Sequence, residues 1–322
     1  MNKMNLTRTA LALGTCLLAV AAAQVFELPN AKVTVRVRDQ EGNAVPSVSL
    51  HITGDSAGLK KNPETYKEGA SDREGLLEIE LKSKGEILIT AEKTGYYRSE
   101  GVTYNYRSIP NELERAFSRK RWEPWNPTVD VTLKQIIKPI PMYARTLTKG
   151  LPPTVERVGF DLVEGDFTHP HGRGKVSDLI FASDVKDRGN DDYDLKITVT
   201  FSNAKDGIAP FAILPPLNGS VLRSTHQAPD TGYLAEWMVW RSRRPKVSES
   251  SNYDPDNHAY FIRVRTVVDE KGNIVSANYG KIYGDFMNVT YYLNPTPNDR
   301  NVEFDPKQNL LRLKEEEQVA AP

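Results

Sequence analysis

The densest group of metal-binding residue types lies in one segment of eleven residues in the middle of the chain. It holds two imidazoles and three carboxylates: Asp161, Glu164, Asp166, His169 and His171. Such nitrogen and oxygen donors bind divalent cations, and on a strand the two histidines would point to the same face. Pro170 between them and Gly172 after them favour a loop instead. Two interpretations stay open: a divalent-metal site at Asp166, His169 and His171, or a solvated surface loop.

Two further segments are rich in oxygen ligands that could hold calcium. They contain Asp187, Asn190, Asp191, Asp192 and Asp194, and, later in the chain, Asp254, Asp256 and Asn257. Their spacing lacks the central glycine and the terminal glutamate of a calcium-binding EF-hand loop. Both segments consist of turn-forming residues, which favours ordinary loops.

Motifs for nucleophilic catalysis are weak. The chain contains no Gly-x-Ser-x-Gly elbow. Ser202 to Lys205 matches Ser-x-x-Lys and Lys93 to Gly95 matches Lys-Thr-Gly, but their order and context differ from those of penicillin-binding enzymes. Catalytic triads and paired carboxylates are defined by geometry rather than by sequence position. The sequence therefore assigns no catalytic residue and favours a non-enzymatic protein.

Tryptophans stand beside basic residues in two places. Trp122 and Trp125 follow Arg119 to Arg121, whereas Trp237 and Trp240 precede Arg241. An exposed indole can stack on a sugar ring, and arginine can hold an acidic group with two parallel hydrogen bonds. Buried tryptophans that anchor a core are the alternative. We predict glycan contacts at four positions: Trp122, Trp125, Trp237 and Arg241.

The elements that must position these residues are short alternating strands. Val33, Val35 and Val37 alternate with polar residues, and Asp39 to Asn43 form a turn. Similar alternation recurs up to Leu133, with turn residues between the runs. This pattern predicts a β-sandwich over residues 24–135.

Three motifs of this first domain occur in a characteristic order. They are Val-x-Val-x-Asp-x-x-Gly-x-x-Val-Pro from Val35 to Pro46, Ser-Asp-x-x-Gly at 71–75, and Lys-Thr-Gly-Tyr at 93–96. Over about a third of the chain they resemble the carboxypeptidase regulatory-like domain, a transthyretin-like, Ig-like sandwich that is grouped with carbohydrate-binding-like folds. The resemblance implies an accessory module of an exported bacterial protein, without catalysis or a particular ligand. An insertion at 98–126, with a short helix expected at 111–121, departs from the family pattern.

The second half of the chain also reads as β structure. Pro139, Pro141 and Gly150 indicate a linker over 136–150. Alternation at 195–201 and 262–266, with a hairpin turn at 269–273, predicts a second β-rich domain over 151–313. Segments at 159–162, 279–284 and 292–298 resemble those of uncharacterised exported bacterial proteins, which implies no activity. Residues 314–322 are expected to form a flexible tail. The fold class is thus all-β, with two sandwich-like domains.

The first 23 residues have the features of a cleavable signal peptide. Lys3 and Arg8 precede an apolar stretch that is too short to span a bilayer, and Ala21 to Ala23 suit a cleavage site. Cleavage after Ala23 would remove Cys16, which is poorly placed for lipid attachment. We therefore expect a mature protein without disulfides, in the periplasm or at the cell surface.

Charge and hydropathy argue against two classes of function, nucleic-acid binding and membrane spanning. Without Lys3 and Arg8, 40 basic residues face 42 acidic ones, so the net charge is near −2. A near-neutral chain has no overall attraction for nucleic acid, and no later apolar run is long enough to cross a membrane. We expect a non-enzymatic binding or scaffolding protein of the bacterial envelope, with a glycan or an envelope protein as partner and no cofactor. The alternatives are a metal-dependent hydrolase centred on His169 and His171, and a structural subunit of a surface assembly.

Overall fold

The computed structural model describes residues 28–54, 62–106, 121–147, 157–212, 219–246, 249–252 and 259–322. Regular structure in these ranges is almost entirely β, which confirms the predicted fold class. The strands are β1 Asn30–Asp39, β2 Ser49–Thr53, β3 Tyr66–Ala70, β4 Leu76–Lys82, β5 Glu86–Glu92, β6 Ser99–Asn105, β7 Thr128–Leu133, β8 Ile140–Leu147, β9 Val158–Asp161, β10 Asp166–Phe167, β11 Leu179–Gly189, β12 Asp192–Thr200, β13 Gly207–Phe211, β14 Glu236–Arg243, β15 Ser250–Ser251, β16 Ala259–Val268, β17 Ile274–Gly284, β18 Val289–Leu293 and β19 Phe304–Asn309. A 3-10 helix spans Glu315–Glu317.

Contacts divide the chain into two compact units, Met1–Lys134 (unit 1) and Gln135–Pro322 (unit 2). The predicted signal peptide at 1–23 lies outside the described residues. In the ranges given above, no helix is long and apolar enough to cross a membrane.

Unit 1 is a sandwich of a three-stranded sheet, in the order β4-β1-β7, and a four-stranded sheet, in the order β3-β2-β5-β6. β1 runs parallel to β7 and antiparallel to β4. The alternation seen in the sequence places Val33, Val35 and Val37 at 0% exposure. They pack in one core cluster with Leu50 and Ile52 of the other sheet.

The predicted insertion at 98–126 is only partly separate from this sandwich. Residues 99–105 form β6, which pairs with β5 at the edge of the four-stranded sheet. The segment 107–120, which includes most of the expected helix at 111–121, lies outside the described residues.

Unit 2 contains two six-stranded sheets, ordered β10-β9-β11-β12-β14-β15 and β13-β16-β17-β18-β8-β19. One core cluster joins residues of both sheets, among them Ile197 of β12 and Ile262 of β16. A second cluster covers the opposite face of the second sheet. Because this sheet is buried on both faces, the first six residues of β16 are all buried.

The structure differs from two boundary predictions for unit 2. The segment read as a linker at 136–150 contains β8, which lies between β18 and β19 within the sheet, with Met142 and Ala144 at 0% exposure. The segment read as a flexible tail at 314–322 is mostly exposed, but contacts within unit 2 anchor its end. Val319 is only 7% exposed, and Tyr292 Oη donates a hydrogen bond to Ala321 O at 3.2 Å.

Candidate functional site

Trp122, a predicted glycan contact, belongs to the core of unit 1. Its side chain is 7% exposed, and Nε1 donates a hydrogen bond to Ser83 O at 2.9 Å. Its ring stacks on Tyr106, with 6.0 Å between the ring centroids. The indole is thus consumed by packing, and the predicted sugar contact at this position is wrong.

Trp125 and Trp237 are half-buried and have partners within the protein. The Arg121 guanidinium lies 5.2 Å from the Trp125 ring centroid, so one face of this indole already carries a cation. Trp237 Nε1 donates a hydrogen bond to Tyr260 Oη at 3.1 Å, and the two rings meet edge to face. Trp237 therefore packs toward the core between the two sheets of unit 2.

Arg241, the fourth predicted contact, forms ion pairs inside unit 2. Its Nη2 pairs with Asp285, which is 5% exposed, and its Nε lies 3.8 Å from Glu249. Asp285 also accepts hydrogen bonds from the backbone N–H groups of Met287 and Asn288. Arg241 thus links β14 to the turn between β17 and β18. Its guanidinium group already binds carboxylates of the protein, so it is less able to bind a ligand.

Trp240 is the tryptophan that the sequence prediction passed over. It lies opposite Lys196 on the outer face of β12 and β14, whereas Val239 points inward at 1% exposure. Among the described residues its indole makes no hydrogen bond and no ring or cation stacks on it. The alternation of side chains along a strand could have identified Trp240. If Val239 points inward, Trp237 lies on the same inner face and Trp240 lies on the outer one.

A shallow groove of about 230 Å³ surrounds this indole. We name it the Trp240 face; its lining residues are Asp184, Lys186, Asp194, Leu195, Lys196, Trp240, Arg241 and Ser242. Antiparallel register fixes the arrangement. Asp184, Lys196 and Trp240 form one row across β11, β12 and β14, and Lys186, Asp194 and Ser242 form the next.

The charges of the Trp240 face fall into two groups. Hydrogen bonds from Arg188, then from Ser242 and Arg244, lower the pKa of Asp194 well below its usual range. This carboxylate is therefore ionised, and its oxygens are already hydrogen-bonded within the protein. Lys186 and Asp184 are only loosely paired at 3.9 Å, and no hydrogen bond of Lys196 is found among the described residues. The groove therefore offers donors and an acceptor beside a half-buried indole on which no described side chain stacks.

The predicted metal ligands do not converge. His169 and His171 are exposed and follow β10. Asp166 accepts hydrogen bonds from the backbone N–H groups of Phe167 at 2.9 Å and Arg173 at 3.2 Å. In the part of the chain that the structure describes, no group of three acidic, histidine or cysteine side chains could hold a metal ion. The loop interpretation of this segment fits the structure better than the metal site.

Asp166 and His171 instead line a larger cleft in unit 2, with a volume of about 770 Å³. We name it the C-terminal cleft. Its lining residues are Arg145, Leu147, Phe160, Val163, Glu164, Gly165, Asp166, Phe167, His171, Arg173, Leu310, Leu311, Arg312, Leu313, Lys314, Glu316 and Glu317.

A buried ionic network holds one wall of this cleft. Arg265 Nη2 donates hydrogen bonds to Asp161 Oδ1 at 2.8 Å and Asp178 Oδ2 at 2.9 Å. Burial would raise the pKa of Asp161, but the backbone N–H groups of Lys175, Val176, Glu164 and Val163 together lower it. For Asp178, burial dominates and raises the pKa despite Arg265. The network is satisfied internally, so its role is structural.

Comparison with known proteins gives no family. No family model matches the chain, and no curated protein matches it. The resemblance to carboxypeptidase regulatory-like domains therefore still rests on the three motifs, together with the observed sandwich.

Several solved structures are partly similar. A variant of catechol 1,2-dioxygenase from Acinetobacter radioresistens is 11% identical, with a TM-score of 0.25 over 34% of this chain, which spans 53% of that enzyme. A DUF3823 family protein from Parabacteroides merdae is 12% identical, with a TM-score of 0.21, over 87% of this chain and 100% of that one. The major pilin subunit of Bacillus cereus is 12% identical, with a TM-score of 0.22, over 87% and 97%. Because these TM-scores are below 0.5, they carry no argument about function.

Proposed function

We propose that this chain is an exported, non-enzymatic glycan-binding protein of the bacterial envelope that contacts sugar through the Trp240 face. The observation that carries the proposal is the contrast among the four tryptophans. Trp122, Trp125 and Trp237 each have a partner in the protein, whereas the Trp240 indole has none among the described residues. An unpartnered indole on a sheet face is a surface on which a sugar ring can stack.

The polar neighbours of Trp240 suit hydroxyl groups. Each hydroxyl both donates and accepts hydrogen bonds, and the lysines of the face donate while Asp184 accepts. These side chains are fixed on adjacent strands rather than on loops, so the spacing between the indole and the polar groups is set by the sheet. A groove of this depth favours binding along a chain of sugars over enclosure of a small molecule.

The test is glycan binding by the full mature chain with Trp240→Ala, measured by affinity electrophoresis against a panel of polysaccharides. We expect the variant to bind about tenfold more weakly or worse, because stacking and apolar burial are lost together. Trp125→Ala is the matched control, since it removes a half-buried indole from unit 1. Equal loss in both variants, or no loss in Trp240→Ala, would reject the Trp240 face.

Export is a separate part of the proposal and rests on the first 23 residues. We expect N-terminal sequencing of protein recovered from the bacterial envelope to begin at Gln24. Recovery of the full-length chain from the cytoplasm alone would contradict export without bearing on the Trp240 face.

A scaffolding role is the second candidate, and the hairpin of β16 and β17 favours it. Val267 and Val275 near the tip are each 56% exposed, and Val268 and Ile274 are 45% and 38% exposed. Clustered exposed aliphatic side chains mark protein interaction sites. Crosslinking in intact envelopes should capture an envelope protein with the native chain and lose it with Val267→Thr combined with Val275→Thr.

The metal-dependent hydrolase has no support in the residues that the structure describes. His169 and His171 are exposed loop residues, and Asp166, the carboxylate predicted to join them, is held by backbone N–H groups.

A further inference from the structure

The C-terminal cleft has two walls that are joined by direct contacts. One consists of β10 with the turn before it and the loop after it; the other is the segment 310–317. Arg145 bridges them, because it donates a hydrogen bond to Gly165 O and pairs with Glu317. Gly165 has a φ of +66°, and a Cβ there would lie 3.1 Å from Leu311 Cδ1. The cleft is therefore built by specific contacts on both sides.

Most of the acidic groups in the cleft are already neutralised. Glu164 lies 2.5 Å from Lys175 Nζ, and Asp166 accepts two backbone hydrogen bonds and lies 3.6 Å from Arg173. Glu317 is paired with Arg145. Glu316 remains exposed and makes no ion pair with another described residue.

Two cations of the cleft are unmatched. Arg312 and Lys314 are exposed, and neither forms an ion pair within the described ranges. They stand two residues apart on the same wall, opposite the wall that carries Arg173 and His171. Apart from Glu316, the open charges of the cleft are therefore positive, and they favour a ligand with negative charge.

The rest of the lining favours a ligand with many hydroxyl groups. Arg173 and His171 supply donors and Glu164 and Asp166 supply carboxylate oxygens, while Phe167 and Leu311 add half-buried apolar surface. Sugars present hydroxyls that donate and accept, and one face of the ring is apolar. The volume of about 770 Å³ falls in the usual range for small-ligand sites.

We infer that the C-terminal cleft binds an anionic oligosaccharide, whose carboxylate or phosphate groups are held by Arg312 and Lys314. Guanidinium groups bind both kinds of anion through two parallel hydrogen bonds. The inference uses none of the residues of the Trp240 face, so either site can exist without the other.

The test is isothermal titration of the full mature chain with three ligands of similar size. They are a galacturonic acid trisaccharide, which carries carboxylates, a mannose-6-phosphate disaccharide, which carries phosphate, and neutral maltotriose. We expect at least one anionic sugar to bind about tenfold or more tightly than maltotriose, and salt to weaken that binding. The sugar that binds identifies the anionic group.

The site is assigned by Arg312→Gln combined with Lys314→Gln, which should weaken anionic binding about tenfold or more. The matched control is Lys271→Gln combined with Lys307→Gln, which removes the same charge from exposed positions outside the cleft. All four residues are exposed, so both variants should fold.

Three outcomes would overturn the inference. Neither anionic sugar binds at millimolar concentration, or both double variants lose binding equally, or a hexaglutamate peptide binds as tightly as the best sugar. The variants used here leave every residue of the Trp240 face intact, so failure here is distinguishable from failure of that face, which is tested separately with neutral polysaccharides.

Discussion

Lys281 shows at the level of one residue how unit 2 accommodates a charge-bearing side chain in its interior. It lies on β17 at 0% exposure, and Nζ donates a hydrogen bond to Ser224 Oγ at 3.2 Å. Its Nζ also lies 4.7 Å from the Tyr292 ring centroid. Burying an ammonium group is costly, and the hydrogen bond to Ser224 and the aromatic faces of Tyr283 and Tyr292 are among the contacts that offset that cost.

We therefore predict that Lys281→Met leaves the free energy of unfolding within about 1 kcal/mol of the native value, or raises it. Methionine fills a similar volume without a charge to desolvate. Urea denaturation measures the change, and Lys281→Ala serves as the comparison because it should leave a cavity and cost about 2 kcal/mol or more. A loss in Lys281→Met as large as that in Lys281→Ala would mean that the ammonium itself stabilises the fold.

The two buried carboxylates beside Arg265 should affect acid stability in opposite ways. The folded-state pKa of Asp161 is lowered, so its stabilising contribution is present above the unfolded pKa, about 3.9, and is lost as the pH falls through the folded value. The folded-state pKa of Asp178 is raised, so the contribution of Asp178 to the free energy of unfolding increases as the pH falls. In Asp161→Asn the loss of stability between about pH 5 and pH 2 should be smaller than in the native chain.

In Asp178→Asn the same acid-induced loss should be larger, because an opposing contribution has been removed. Urea midpoints measured across this pH range test both signs. Asp130→Asn is the surface comparison: Arg36 also lowers the pKa of Asp130, but this ion pair is exposed, so the effect on acid stability should have the sign of Asp161→Asn and be smaller. Equal pH profiles for Asp161→Asn and Asp178→Asn would contradict the assignment.

At the level of elements, turns were the most predictable feature. Asp39 and Asp269 each open an Asp-x-x-Gly-Asn turn, and each accepts the backbone N–H of the asparagine four residues later at 2.8 Å. Gly42 and Gly272 supply the positive φ that both turns need. These signals are local in sequence, so the turns can be predicted without knowledge of the fold.

β8 could not be predicted for the opposite reason. Pro139 before the strand and Pro141 within it signal a linker, yet β18 and β19 supply pairing on both sides of the strand. The partners lie about 150 residues away in sequence, as the pairing of Leu147 with Val289 shows. Long-range pairing overrode the local signal. The same holds for Val319, whose burial depends on residues far along the chain.

The burial of Val319 near the C-terminus gives a prediction at this scale. Val319→Ser should lower the free energy of unfolding by about 1–2 kcal/mol, because a buried aliphatic side chain is replaced by a polar one. Gln318→Ser, at the exposed neighbouring position, should change it by less than about 0.5 kcal/mol. Urea denaturation of both variants measures these changes. Equal free energies of unfolding would mean that residue 319 makes no stabilising contact, as the predicted flexible tail requires.

The same contrast between local and distant information explains what was predictable of the site. Tryptophans beside cations identified β14, and strand parity limited the outward indole to Trp237 or Trp240. Choosing between them needed the burial of Val239, which depends on the other sheet. The C-terminal cleft left no signal in any single segment, because its walls join β8, the turn after β9 and residues 310–317.

For the whole molecule, the division at Lys134 and Gln135 has a consequence for folding. Among the described residues, the buried members of the core cluster of unit 1 lie within 31–133, and those of the two clusters of unit 2 lie within 142–319. A unit with its own core can fold alone. We predict that fragments 24–134 and 135–322 each unfold cooperatively on heating, with β-type circular dichroism.

Fragment 151–322, cut after the segment that the sequence indicated as a linker, is the matched control. It lacks β8 and therefore loses Met142 and Ala144 from the core and the pairing partners of β18 and β19. Both strands would then present unpaired edges, which promote aggregation. We expect this fragment to unfold at a lower temperature than 135–322 or to aggregate. A midpoint equal to that of 135–322 would mean that β8 is dispensable and that the boundary of unit 2 lies after residue 150.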